Sequence, residues 1–270
     1  MTRIIVITSG KGGVGKTTVS ANLAMALAKI GRQVALVDAD FGLRNLDLLL
    51  GLENRIVYTA IEVLTRECRL EQALVKDKRH PNLVLLPAAQ NRTKDAITPD
   101  QMKLLVNALA QKYQYVIIDS PAGIENGFKN AIAPAKEALI VSTPEISSVR
   151  DADRVVGLLE AQGIKRTHLI INRIRPAMVK ANDMISVEDV QELLAIPLIG
   201  VIPDDERVIV STNRGEPLVL AEKDNASLAA IAFEHIARRL EGEAIEFMDL
   251  NAPADSIFDR LRKLLWTKIV

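Results

Sequence analysis

Residues 4–18 of the chain read IIVITSGKGGVGKTT, an apolar β-branched run followed by a glycine-rich loop. The run predicts a buried strand, and the apolar residues that recur from Val19 to Ile30 at helical spacing predict a helix after the loop. The loop itself matches G-x-x-x-x-G-K-[ST], and it lies in the strand, loop and helix context that this phosphate-binding motif requires. We therefore predict that the fold begins with a nucleotide phosphate site.

This P-loop predicts specific contacts with a nucleoside triphosphate. Its glycines allow backbone N–H groups to turn toward phosphate oxygens, and the following helix adds the positive end of its dipole. Lys16 is expected to neutralise β- and γ-phosphate charge, a catalytic role, and the Thr17 hydroxyl to bind Mg²⁺. A chance glycine-rich turn is the alternative, and the match in both spacing and context argues against it. The predicted ATP-binding residues of the loop are Gly10, Lys11, Gly12, Gly13, Val14, Gly15, Lys16, Thr17 and Thr18.

Acidic residues follow two later strand-like runs. Asp38 and Asp40 come after Val34–Val37, and Asp119 comes after Val116–Ile118. The carboxyl ends of parallel strands meet at one edge of a sheet, so these carboxylates should lie beside the P-loop. We predict Asp38 and Asp119 as Mg²⁺ ligands and Asp40 as the catalytic residue that orients the attacking water. For each of them the alternative is a strand-end carboxylate that caps a turn.

Strand-like runs alternate with helical segments along the chain, which predicts an α/β fold with a mostly parallel twisted sheet and helices on both faces. The predicted strands are Ile4–Thr8, Val34–Val37, Leu83–Leu86, Val116–Ile118, Leu139–Ser142, Leu169–Ile171 and Leu198–Ile202. The predicted later helices are Pro99–Lys112, Val149–Gln162, Ser186–Ala195 and Ala226–Leu240. We predict a single P-loop ATPase domain over residues 1–240, a linker over 241–255 and a terminal amphipathic helix over 256–270.

Composition limits the possible classes of function. A length of 270 residues suits one sizeable domain, and a formal net charge of zero provides no overall basic surface for nucleic acid. The single Cys68 excludes an internal disulfide and a one-chain cysteine cage for zinc or an iron–sulfur cluster. The first residues lack a signal-peptide pattern, and no apolar run approaches the ~20 residues of a membrane span. We expect a cytosolic compartment, or a plastid stroma if a transit peptide was removed.

Three motifs together resemble the ParA/MinD family of deviant Walker A ATPases, and the resemblance covers essentially the whole chain. They are KGGVGKTT at 11–18, DADFGLRNLD at 38–47 and DSPAGIE at 119–125. The resemblance implies that ATP joins two subunits face to face into a homodimer. It also implies that Lys11 reaches across to the partner's phosphates as a catalytic cation, which would act much as an arginine finger does.

The base of the nucleotide is expected at the ends of two later strands. An asparagine offers both a donor and an acceptor to an adenine edge, and the family uses the residue that matches Asn172 in this way. A simple strand-capping role for Asn172 is the alternative. The predicted base contacts are Asn172, Arg173, Pro203 and Asp204.

Residues 256–270 read SIFDRLRKLLWTKIV, which predicts an amphipathic helix after an acidic linker. Such a helix would be roughly 22 Å long, too short to cross a bilayer and suited to lie among lipid headgroups. A terminal helix packed on its own domain is the alternative. The predicted membrane-binding residues are the apolar Ile257, Phe258, Leu261, Leu264, Leu265, Trp266 and Ile269, with the basic Arg260, Arg262 and Lys263 facing anionic lipid.

The MinD members of the family end in such a helix, so the resemblance implies an ATPase that positions the division site. ATP would drive dimerisation and docking on the cytoplasmic face of the inner membrane. A MinC-like division inhibitor would be recruited, and a MinE-like activator would stimulate hydrolysis and release. A helix starting near Ser147–Asp153 is a hypothesis for the partner-docking surface, and unchanged partner binding by an Asp151→Ala, Asp153→Ala double variant would contradict it.

Two alternatives stay open. A ParA-type partitioning ATPase would bind DNA as the ATP dimer through surface Lys and Arg, although the neutral net charge and the amphipathic tail argue against it, and we expect no specific nucleic acid. A metabolic P-loop enzyme or a nucleotide-dependent reductase is the other alternative. The reductase would need cluster-binding cysteines, and the metabolic enzyme would leave the tail unexplained.

Overall fold

The computed structural model describes residues 2–41, 43–89, 97–221 and 227–250. One eight-stranded sheet runs through it in the order β3-β4-β2-β5-β1-β6-β7-β8. Every neighbouring pair is parallel except β3 with β4. The predicted α/β class and mostly parallel sheet are thus confirmed. The strands are β1 Arg3–Thr8, β2 Val34–Asp38, β3 Val75–Lys76, β4 Leu83–Leu86, β5 Tyr115–Asp119, β6 Glu137–Ser142, β7 Arg166–Ile174 and β8 Leu198–Pro203.

Helices cover both faces of the sheet. They are α1 Lys16–Lys29, α2 Leu46–Leu50, α3 Ala60–Leu64, α4 Leu70–Ala73, α5 Pro99–Ala110, α6 Asn126–Ile132, α7 Ile146–Ala161, α8 Pro176–Lys180, α9 Val187–Leu194, α10 Arg207–Asn213 and α11 Leu228–Leu240, with short 3₁₀ turns at Glu53–Arg55 and Leu218–Leu220. Within the described ranges, none of these helices has both the length and the apolar character needed to cross a bilayer.

The central strand β1 shows how the two layers are built. Its side chains alternate between the two faces, as strand geometry requires. Ile4 and Val6 belong to the core beneath α5, α6, α7 and α9. Ile5 and Ile7 belong to the core beneath α1 and α11. This double burial explains why the strand reads as a continuous apolar run.

The helix α1 is buried on more sides than its sequence predicts. The spacing from Val19 to Ile30 indicates one apolar face, yet α1 is buried along most of its length. The reason is α11, which packs on α1 with small residues on both sides of the contact. Ala24 of α1 and Ala230 of α11 are both buried in this shared core, where small side chains let the helices approach closely.

The elements that sequence patterns miss are all short. Each predicted strand is present, usually a residue or two longer than its apolar run. The strand β3 and the helices α2, α3, α4, α6, α8 and α10 have no counterpart in the prediction, because two to seven residues cannot display a clear hydrophobic period.

The predicted terminal helix over 256–270 and the last part of the predicted linker, 251–255, lie outside the described residues. The remainder of that segment, 241–250, forms no regular helix or strand and is hydrogen-bonded to Arg239 of α11. The division into domain, linker and helix therefore stays a prediction.

Candidate functional site

The P-loop lies at the carboxyl end of β1, and its glycines adopt conformations that other residues rarely take. Gly13 has φ 79° and Gly15 has φ 100°, both in the left-handed region. A β-carbon at Gly15 would also lie 2.3 Å from the Asn172 amide nitrogen. Gly15 directly precedes α1, so the helix begins with Lys16 and Thr17 facing the loop. The loop therefore presents backbone N–H groups and the positive end of α1 to one point.

Lys16 is held inside the loop. It is buried, and its Nζ donates to Ser9 Oγ at 2.9 Å. Burial lowers the pKa of Lys16, while the nearby Asp119 and Asp40 act to raise it. An ammonium group has three donors, so the bond to Ser9 leaves donors for a phosphate anion.

The two predicted metal ligands sit side by side. Asp38 and Asp119 are direct register partners at the carboxyl ends of β2 and β5, and each is 1% exposed. Ser20 Oγ donates to Asp119 Oδ1 at 2.7 Å, and the Thr17 side chain also hydrogen-bonds to Asp119. The structure thus brings the two acidic clusters together directly under the start of α1.

This carboxylate pair is electrostatically unsatisfied. Burial, followed by the charge of Asp119, raises the pKa of Asp38 well above its usual value. Burial also raises the pKa of Asp119 to about 6, although Ser20, Thr17 and Lys16 partly offset it. Among the described residues, Asp38 Oδ2 is buried with no hydrogen-bond partner. Such an oxygen is unfavourable unless something positive meets it.

The donor set suits a divalent cation with oxygen ligands. Mg²⁺ prefers oxygen and is usually held by one or two carboxylates together with water and substrate phosphates. In the described part of the chain, no three His, Cys, Asp or Glu side chains are arranged to hold a metal by themselves. Asp38, Asp119 and the Thr17 hydroxyl therefore fit a Mg²⁺ ion whose remaining ligands come from a nucleotide and water.

Asp40 lies at the edge of this pair. Its backbone N–H donates to Asp38 Oδ1 at 2.9 Å, and its side chain is half-buried. The charge of Asp40 acts to raise the pKa of both Lys16 and Asp119. A carboxylate in this position can orient a water molecule beside a bound phosphate.

Lys11 is turned toward the start of α7. Its Nζ lies 3.5 Å from Glu145 Oε2 and donates to Ser147 Oγ at 3.1 Å. Both side chains of this ion pair are largely open to solvent, so the pair contributes little to stability. Lys11 is therefore held weakly and can exchange Glu145 for a stronger anion.

Asn172 supports the P-loop directly. It is buried inside β7, which continues to Ile174, and therefore does not lie at the end of the strand. Its Nδ2 donates to the Val14 carbonyl at 2.8 Å. The amide thereby links β7 to the loop across the carboxyl edge of the sheet.

The predicted base contacts are divided between two cavities. Arg173, with φ 60°, lines a cavity of about 640 Å³ that the P-loop shares with α2 and the end of α10. Pro203 and Asp204 line a second cavity of about 530 Å³, while Asn172 lies under the loop. The residues around the first cavity are Gly13, Gly15, Lys16, Thr17, Thr18, Asn45, Leu48, Leu49, Gly51, Glu53, Arg173, Thr212, Asn213, Arg214 and Gly215.

A family model described as the CobQ/CobB/MinD/ParA nucleotide-binding domain matches residues 5–218. The chain belongs to this family. It is 70% identical to a putative septum site-determining protein MinD of Guillardia theta, over 97% of both chains. It is 64% identical to the septum site-determining protein MinD of Synechocystis sp., over 98% of this chain and 99% of the relative.

Solved structures of the family agree with the fold. A chain of the MinC:MinD cell division protein complex of Aquifex aeolicus has a TM-score of 0.85 and 50% identity, with 91% of this chain and 98% of that chain covered. The septum site-determining protein MinD complexed with Mg-ADP from Pyrococcus horikoshii has a TM-score of 0.80 and 34% identity, with 89% and 96% covered. The chain is thus a MinD-type cell division ATPase with a nucleotide-binding fold.

Several residues of this family site were not identified from the sequence. Ser20 follows Thr17 by three positions, so helical spacing alone could have placed both side chains on the face of α1 toward Asp119. Arg214 and Asn45 line the larger cavity from loops that the tertiary fold brings to the P-loop, and no local pattern marks them.

The start of α7 is tied to the P-loop rather than freely exposed. Ser147 and Asp153 face solvent, but a β-carbon at Gly10 would lie 2.2 Å from the Asp151 carbonyl oxygen. Ser148 is buried and accepts a hydrogen bond from the Thr143 backbone N–H. Of the residues hypothesised to form a docking face, only some are therefore available to a partner.

Proposed function

We propose that this chain binds ATP with Mg²⁺, dimerises on ATP binding and docks on an anionic membrane surface, where it recruits a MinC-like division inhibitor. Stimulated hydrolysis by a MinE-like activator then releases it. The observation that carries the proposal is the buried pair Asp38 and Asp119 beside Lys16 and Thr17 at a P-loop, in which Asp38 Oδ2 has no hydrogen-bond partner in the described part of the chain.

In this proposal Thr17, Asp38 and Asp119 hold the Mg²⁺ ion, which supplies charge neutralisation for phosphoryl transfer when bound. The Mg-ADP complex of the P. horikoshii relative supports the choice of metal. Lys16 and the P-loop N–H groups bind the phosphates, and Asp40 orients the attacking water. The geometry supports positioning and electrostatic stabilisation, which are the main requirements of this reaction.

Dimerisation would complete the site. Lys11 has a solvent-accessible ion pair that it can give up. In the proposed dimer it exchanges Glu145 for the partner's phosphates and adds a cation where charge develops. Hydrolysis would then depend on the dimer, as it does where an arginine finger acts in trans.

The membrane and partner steps rest on the sequence and on relatives. Residues 256–270 carry the basic Arg260, Arg262, Lys263 and Lys268 against the single acid Asp259. One short helix binds lipid weakly, whereas a dimer presents two, and the avidity gain can reach ~10²-fold. The A. aeolicus relative is found in a complex with MinC, which supports an inhibitor as partner. The proposed location is peripheral, on the cytoplasmic face of the inner membrane in the ATP state.

Co-sedimentation with anionic liposomes tests the membrane switch. The full chain and a truncation ending at Asp255 are compared with ATP, with a non-hydrolysable analogue and with ADP. We expect the full chain to pellet only with a triphosphate and the truncation never to pellet. A Lys16→Ala variant of the full chain, which cannot hold the phosphates, is the matched control and should remain in the supernatant throughout. If the full chain fails to pellet in every nucleotide state, the membrane proposal is wrong.

A further inference from the structure

One guanidinium holds the segment that leads to the terminal residues. Arg239, on α11, donates through Nε to the Ile245 carbonyl at 2.9 Å and through Nη2 to the Glu246 carbonyl at 2.9 Å. Its Nη1 donates to the Ile199 carbonyl on β8 at 3.0 Å. Its Cζ also lies 4.1 Å from the centroid of the Phe247 ring. A planar fork with several donors can make these contacts together, whereas a lysine cannot.

The segment 245–250, here called the strap, follows β8 from one end to the other. It starts beside Ile199, near the amino end of β8, where Arg239 holds it. Met248 then packs against the core that lies beneath α1 and α11. Leu250 lines the cavity of about 530 Å³ together with Pro203 and Asp204, at the carboxyl end of β8.

The path of the strap decides where Leu250 lies. That residue is at the carboxyl edge of the sheet, the edge that also carries the P-loop. Without the strap, the fixed part of the chain would end near Glu243, just past α11. The seven residues 244–250 span up to about 24 Å when extended, so the position of Leu250 would no longer be defined.

We propose that Arg239 is a positioning residue, and that the strap it holds forms one wall of the cavity lined by Pro203 and Asp204, two of the predicted base contacts. This inference rests on the proposed function for ATP binding and on the predicted base contacts at Pro203 and Asp204. Its consequence is that the nucleotide base and the end of the strap share one cavity. A bound base then stabilises the strap.

Chymotrypsin cleavage of the bond after Phe247, followed by mass spectrometry on the full chain, tests the strap. We expect Arg239→Ala to be cleaved there at least about tenfold faster than the parent, because cleavage requires the segment to detach. Arg239→Lys should also be cleaved fast, since lysine cannot replace the fork. The matched control is Arg238→Ala, whose guanidinium pairs with Glu243 before the strap begins, and which should stay within about twofold of the parent. Equal cleavage rates for the Arg239 and Arg238 variants would overturn the proposal.

The link to the base is tested with ADP, which carries the same base as ATP. Saturating ADP should slow cleavage after Phe247 several-fold in the parent, and this protection should be lost in Arg239→Ala although the variant still binds ADP. Cleavage of the parent that is unaffected by bound ADP would overturn the shared cavity. Neither readout uses lipid, so failure here is distinguishable from failure of the membrane proposal.

Discussion

The P-loop requires glycine at different positions for different reasons. Gly13 and Gly15 need backbone conformations in the left-handed region. Gly10 has an ordinary conformation but no room, because the backbone of Asp151 on α7 occupies the place of a β-carbon. At Gly12 the nearest atom would be the Ala122 β-carbon at 3.6 Å, an ordinary contact. A local motif therefore contains one position, Gly10, that is set by a helix far away in the chain.

We predict that Gly10→Ala lowers the free energy of unfolding by about 1–3 kcal/mol, the usual effect of overpacking a tight contact. Nucleotide affinity should fall as well, since α7 must shift away from the P-loop. Urea unfolding monitored by circular dichroism measures the first effect. Gly12→Ala is the control and should unfold like the parent. If the two variants prove equally stable, the close contact between Gly10 and Asp151 does not constrain the fold.

The side chain of Arg79 links the elements α2, α10 and β3 at the rim of the larger cavity. Arg79 donates to the Leu50 carbonyl at the end of α2 at 2.7 Å and to the Gly215 carbonyl after α10 at 3.1 Å. It also pairs at 2.8 Å with Asp77, which follows β3 and is buried. Burial acts to raise the pKa of Asp77, but hydrogen bonds, first among them those from Arg79, outweigh it and lower that pKa. Arg79 therefore fixes two walls that face the P-loop.

Arg79→Ala should lower the free energy of unfolding by about 3 kcal/mol, because it leaves the buried Asp77 carboxylate without its partner. The pKa of Asp77 is lower in the folded state than in the unfolded state, so the ion pair stabilises the protein at pH values above the unfolded pKa, roughly 4. This stabilisation is lost as the pH falls through the folded-state pKa. The difference in stability between parent and variant should therefore shrink in acid. Denaturant titrations at neutral pH and near pH 3 measure it, with the exposed neighbour Lys78→Ala as control. A difference that does not depend on pH would show that Asp77 is not the group involved.

At the scale of the whole molecule, the two edges of the sheet differ in character. The amino edge is closed by ion pairs and hydrogen bonds, in which Arg3 bonds to Glu137 and to the Leu240 carbonyl at the end of α11. Tyr115 bonds to Glu241 beside it, and burial first, then this bond, raises the pKa of Tyr115 to about 12. The carboxyl edge instead carries the buried Asp38 and Asp119 and the two cavities. Polar contacts thus close the amino edge, whereas the carboxyl edge is open at the candidate site.

The Lys11→Ala variant tests whether Lys11 acts in dimerisation rather than in the stability of the single chain. We expect the variant to lose ATP-dependent dimerisation and stimulated hydrolysis, while its free energy of unfolding changes by less than about 0.5 kcal/mol because the ion pair is exposed. Size-exclusion chromatography with and without ATP, together with urea unfolding, measures both. Glu145→Ala breaks the same ion pair but keeps the cation, so it should still dimerise. Normal dimerisation by the Lys11 variant would exclude a role for this cation in trans.

Much of the fold follows from the sequence by itself. The G-x-x-x-x-G-K-[ST] loop, the alternation of apolar runs with helical segments and the strand-end carboxylates are local patterns, and local sterics and hydrogen bonding determine their structure. The meeting of Asp38 with Asp119 could also be anticipated, because parallel strands end at one edge. Other contacts could not be predicted from the sequence. They are the hydrogen bond from Asn172 to the P-loop, the contact between Gly10 and α7, and the hydrogen bonds of Arg79 and Arg239. Each joins residues that are distant in the chain or in irregular segments, and such contacts depend on how the layers pack rather than on any periodic pattern. The sequence by itself thus determined the class of fold and the chemistry of the phosphate site. The tertiary structure alone decided which residues surround that site, because the packing of helices on the sheet brings them there from distant parts of the chain.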